Sequence, residues 1–186
     1  LVLVATCFIT SAWAKYTKTV TASDSARVAK FEVAMKQGET VITNNTTIDI
    51  FGTKFNNIAQ DGDGNNVKTD KLIAPGSHGA TTIKVSNTGE VSVKFTATAT
   101  DTNTGNIPLK FKVTGNTTEY ETFKEAVEAA FAGVVIGVGE TEVSKEITWE
   151  WKYEDGRDTQ DTNLGEAGTA KYVVNLEVTA TQVKPE

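Results

Sequence analysis

From Ala80 to Ala99 the chain reads ATTIKVSNTGEVSVKFTATA, two runs in which apolar and polar residues alternate around Asn87-Thr88-Gly89. A period of two places successive side chains on opposite faces of an extended strand, so each run paves one face of a sheet and wets the other. The break carries turn residues, and the expectation is a hairpin of Thr81–Ser86 with Val91–Ala99. Similar runs recur around Val28, Phe31 and Val33, around Ile48, Ile50 and Phe51, and in IPLKFKV, EVSKEITWEWKY and AKYVVNLEVTATQV. QDGDGNN and the Pro-Gly of LIAPG punctuate them as turns, and EDGRDTQDTNLGEAG reads as an acidic loop before the last strand.

One stretch breaks the period. Phe123, Val127 and Phe131 recur at helical spacing, Thr118 and Glu121 have the spacing of a capping box, and Gly133 follows as a stop. This predicts a helix over 118–132. About eight strands, short turns and one inserted helix make the chain mainly β, an antiparallel jelly-roll-like β-sandwich. Trp149, Trp151 and Tyr153 alternate and share a face, which reads as a core-facing row rather than a sugar-stacking platform. The division is an apolar segment over 1–14, a polar arm over 15–27 and the sandwich over 28–186.

The first fourteen residues, LVLVATCFITSAWA, carry no charge. They are short for a membrane helix, which needs roughly 20 apolar residues. Two readings stand. Ala12-Trp13-Ala14 fits an A-x-A cleavage site, which makes the segment the apolar core of a secretory signal. Alternatively, Val2, Val4, Thr6, Phe8 and Ile9 suit a strand buried on both faces.

A formal charge of −6 opposes binding to nucleic acid. The single cysteine, Cys7, excludes an internal disulfide, and no other stretch reaches transmembrane length. Zinc-peptidase chemistry needs two histidines and a glutamate at fixed spacing, whereas His78 stands alone. No G-x-S-x-G or phosphate-binding loop is present, so the expectation is a non-enzyme.

Three stretches, AWAKYTKTVTASDSARVAKFEV, LIAPGSHGATTIKVSNTGEVSVKF and ITWEWKYEDGRDTQDTNLG with its closing YVVNLEVTATQV, together resemble the TasA/camelysin-like exported proteins. The resemblance covers most of the chain. It implies a secreted jelly-roll subunit of extracellular biofilm fibres, in which an N-terminal segment of one copy completes the sheet of the next. The donor segment would draw on Val2, Val4, Thr6, Phe8, Ile9, Tyr16 and Val20, with copies of the chain as partners and minor accessory subunits beside them. In the family the signal is removed and the arm begins after it, which here falls near Lys15. The alternative is a monomeric cell-surface adhesin or carbohydrate-binding sandwich.

Calcium is the one cofactor that the residues raise. Asp61, Asp63 and Asn65 have the D-x-D-x-N spacing of a calcium loop, but Asn66 and Leu72 stand where glycine and glutamate belong. Asp155, Asp158 and Asp161 form a second acidic group. Asn44, Asn45 and Asn116 lie in N-x-T sequons and are candidate glycosylation sites.

Overall fold

The computed structural model describes residues 24–43, 46–51, 72–140, 142–154 and 156–184. Along them run β1 (Val33–Gln37), β2 (Thr40–Val41), β3 (His78–Asn87), β4 (Val93–Thr104), β5 (Leu109–Val113) and β6 (Glu119–Tyr120). Helix α1 (Phe123–Ala130), β7 (Val135–Ile136), β8 (Glu142–Trp151), helix α2 (Asp158–Ala167) and β9 (Lys171–Gln182) follow. Two antiparallel sheets result, one ordered β2-β1-β3-β8-β5-β6 and the other β7-β4-β9. From β3 onward every connection crosses between the sheets except β5–β6. The chain is therefore a mainly β sandwich with both sheets sharing one core.

The alternation does the work expected of it. In β4, Val93, Phe95, Ala97 and Ala99 are buried while Lys94, Thr96, Thr98 and Thr100 are exposed. Across the core stand Ile83 and Val85 of β3, Phe111 of β5, and Ile147, Trp149 and Trp151 of β8. Trp149 is pinned twice: its indole N–H donates to the Ile50 carbonyl at 3.1 Å, and the Phe51 ring meets it edge-on. Gly79 pairs with Trp149, and a Cβ there would sit 2.8 Å from the indole nitrogen. Glycine is what lets the indole lie flat beneath β3.

The expected hairpin is not one. β3 pairs with β1 and β8, while β4 pairs with β7 and β9, so Asn87–Val91 carries the chain from one sheet to the other. Asn87, buried at the crossing, explains why. Its amide donates to the carbonyls of Val91, Ile136 and Gly137, and its Oδ1 accepts from Gly89 N. One side chain thus ties the crossing to the end of β7 and satisfies backbone groups that a hairpin ladder would otherwise hold.

Five further expectations need correction. The first strand starts at Val33, because Val28 and Phe31 point into solvent. Residues 46–51 form no strand; Ile50 is buried as a hydrogen-bond acceptor for Trp149. The helix begins one turn late: Thr122 and Glu125 form the capping box, whereas Glu119 and Tyr120 pair with β5. The acidic loop contains α2, ended by Gly168 in the left-handed conformation (φ +60°) and leaning Leu164 on the core. Trp149 and Trp151 are core residues as expected, but Tyr153 lies beyond the strand and is 77% exposed.

Candidate functional site

β9 has the sequence of a core strand without the burial of one. Tyr172, Val174, Leu176, Val178 and Ala180 face the core and pack against it, yet each stays half-buried. Opposite them β4 presents fully buried residues at the same register, Phe95 beside Ala180, Ala97 beside Val178 and Ala99 beside Leu176. The difference is in the neighbours. β4 is flanked by β9, by β7 and by α1, whereas β9 pairs with β4 alone among the described residues. Among the described residues no strand lies beside its other edge, where alternate residues of the twelve turn their N–H and C=O outward beside a half-covered apolar row. Such an edge is the natural acceptor for an added strand.

At its first residues β9 is held by a polar knot. Tyr172 Oη donates to Asp101 Oδ2 at 2.8 Å and accepts from Phe123 N at the start of α1, while Lys124 N donates to the same Asp101 oxygen. Burial, with the adjacent carboxylate, pushes the Tyr172 hydroxyl well above its ordinary pKa. It stays protonated and continues to donate. The knot ties α1, β4 and β9 together at one end of the second sheet.

The arm enters the fold at the other end. Glu90 N donates to the Lys30 carbonyl and Thr88 N to that of Glu32, so residues 30–32 lie along the β3–β4 crossing. Arg27 grips Glu90 with both terminal nitrogens, and Lys30 N donates to the same carboxylate. These donors hold the Glu90 carboxyl down to about 2. A Cβ on Gly89 would lie 2.7 Å from both Glu32 N and Lys30 O, so the close approach requires glycine. Neither this clamp nor the half-covered state of β9 was anticipated from sequence. Period-two alternation reveals a strand's faces but not how many neighbours it has.

The residues singled out from the sequence are scattered. The donor positions Val2, Val4, Thr6, Phe8, Ile9, Tyr16 and Val20 lie outside the described residues, as do Asp61, Asp63, Asn65, Asp155, Asn44 and Asn45. Asp158 and Asp161 lie on the first turn of α2, and Asp161 faces Arg157 at 3.6 Å. No group of three or more His, Cys, Asp or Glu side chains converges to hold a metal among the described residues. Asn116 is exposed after β5, but its Oδ1 accepts from Thr118 N and its amide donates to Tyr120 Oη.

A concavity of about 560 Å³ lies over the outer face of the larger sheet, among His78, Lys110, Lys112, Glu119, Thr148 and Glu150. Its charges neutralise one another, for Lys112 and Lys152 both pair with Glu119 and Lys110 pairs with Glu121. No helix among the described residues is long and apolar enough to cross a membrane. No protein-family model matches the chain, and no curated protein matches it in sequence.

Proposed function

We propose that this chain is a structural subunit of an extracellular filament, in which the N-terminal segment of one copy adds as a strand to the second sheet of the next. The carrying observation is β9: a long edge strand whose apolar row is only half covered, in a sheet of three described strands facing one of six. The resemblance to TasA/camelysin-like proteins supports the same reading. Twenty-three residues precede Asp24. Extended, they reach roughly 75 Å, and a strand covering β9 needs about 40 Å. Covering five partly exposed apolar side chains contributes on the order of 2–7 kcal/mol, opposed by the ordering of the arm. A strand passed from copy to copy is a head-to-tail contact, which propagates as a filament when the rotation between copies does not close a ring.

The test is negative-stain electron microscopy of the full chain, of residues 15–186 and of residues 24–186. Filaments are expected whenever the donor is present and absent from residues 24–186. Filaments from the full chain alone place the donor within residues 1–14, and filaments from both longer chains place it after Lys15. A full chain that stays monomeric at high concentration overturns the reading. It would favour a monomeric surface-binding module, for which the concavity around His78 and Glu150 is the place to look for a ligand.

A further inference from the structure

Among the described residues eight large apolar side chains are exposed, and five of them, Val28, Phe31, Val135, Val138 and Val183, lie on segments at the end of the sandwich where the arm enters. Each lies within two residues of a group bonded to the β3–β4 crossing. Glu90 and Thr88 hold residues 30 and 32, Asn87 holds Gly137, and Val183 N donates to Ser92 O. Val28 is 92% exposed and Phe31 48%, although the Arg27–Glu90 clamp and the Gly89 contact fix their backbone in place. Apolar side chains held in water at one end of a fold are candidates for a surface that a second molecule covers. Of the remaining three, Tyr153 and Val173 lie at the opposite end of the sandwich, where β8 stops and β9 starts.

The occupant follows from strand direction. β9 runs from Lys171 at the Tyr153 end to Gln182 at the arm end, since Gln182 pairs with Val93 just past the crossing. Every strand pair among the described residues is antiparallel. A donor lying antiparallel to β9 has its C-terminal root beside Lys171 of the receiving copy. That root is the arm entrance of the donating copy, so its apolar end is brought against the receiving copy's Tyr153 end. A parallel donor would instead bring two arm entrances face to face, an isologous contact that closes as a dimer.

We infer that successive copies meet end to end, with the Val28, Phe31, Val135, Val138 and Val183 surface of one seated on the Tyr153 and Val173 end of the next. This rests on the filament reading and adds to it the donor's direction and the second contact.

The test uses full-length chains carrying Cys7→Ser, with Cys7→Ser alone as the reference for filament formation. Val138→Cys and Tyr153→Cys are introduced together and each alone, and assembled samples are treated with a flexible bis-maleimide linker. Expected are a ladder of multimers from the double variant and only monomer from either single variant. Covalent dimers from Val138→Cys alone would mean that arm entrances face one another, and overturn the inference. Filaments seen by microscopy without any cross-linking would overturn the end-to-end contact while leaving strand donation intact. Chains that form neither filaments nor cross-links would overturn both. As a second measurement, Phe31→Asp with Val138→Asp is expected to shift the population from filaments to short oligomers, and unchanged filament length would overturn the contact.

Discussion

β8 and β9 are nearly the same strand by sequence and quite different strands in the fold. Both alternate over ten or more residues and both carry large apolar side chains inward. β8 lies between β3 and β5, and Ile147, Trp149 and Trp151 are all buried. β9 lies beside β4 alone among the described residues, and none of its inward residues is fully buried. Burial is thus a property of position in the sheet rather than of pattern. The chain places its heaviest side chains where neighbours flank both sides, and leaves its longest edge beside a lighter sheet.

The contrast is sharpest in the cost of truncation. Trp149→Ala is expected to lose about 3–5 kcal/mol of stability in a denaturant melt, because it opens a cavity and orphans the Ile50 carbonyl. Asn87→Leu comes next at about 2–3 kcal/mol, since it strips the donor from three carbonyls at the crossing. Leu176→Ala on β9 is expected to lose only about 1–2 kcal/mol in the unassembled chain. A loss as large as that of Trp149→Ala would show β9 to be as enclosed as β8 and remove the basis for strand addition.

The smallest effect is electrostatic and sits at the arm entrance. The Arg27 guanidinium and the Lys30 N–H lower the Glu90 carboxyl from its ordinary 4.5 to about 2. The stability this contributes is fully present above pH 4.5 and is lost as the pH falls through about 2. Melting temperatures of the native chain and Glu90→Gln should therefore differ most near neutral pH and converge across that window. A constant difference down to about pH 2 would show that the clamp does not form in solution.

Much of this fold was legible in the sequence, and the illegible parts share a cause. The runs that became β3, β4, β5, β8 and β9 announced themselves by period, and Phe123, Val127 and Phe131 announced α1. Partners did not. Asn87-Thr88-Gly89 looks like a hairpin turn, and only the three-carbonyl reach of the Asn87 amide shows that it joins two sheets. Thr118 and Thr122 are equally good caps locally, and the pairing of Glu119 and Tyr120 with β5 decides for the second. α2 was hidden because Leu164 is the one large apolar residue in an otherwise polar segment, though Gly168 and the early aspartates were signals of its two ends. For the candidate site, the apolar row of β9 was readable, and its having a single strand neighbour among the described residues was not. The arm's clamp depends on Arg27 and Glu90, 63 positions apart, which no local pattern connects.

The pairing of β4 with β9 also sets an order of events in time. Its contacts join Thr104 to Lys171 and Val93 to Gln182, across 67 to 89 positions of chain, with all of β5 through α2 between them. Closing so wide a loop is slow; β5 with β8, from Leu109 to Trp151 and Val113 to Ile147, closes a shorter one, whereas β3 with β8, from His78 to Glu150, spans nearly as much chain as β4 with β9. β9 emerges after every other described strand during synthesis, and until it docks β4 holds strand bonds only at Val93 and Lys94, to β7, among the described residues. Amide hydrogens along β9, which pairs on one side only among the described residues, should therefore exchange ahead of those along β8.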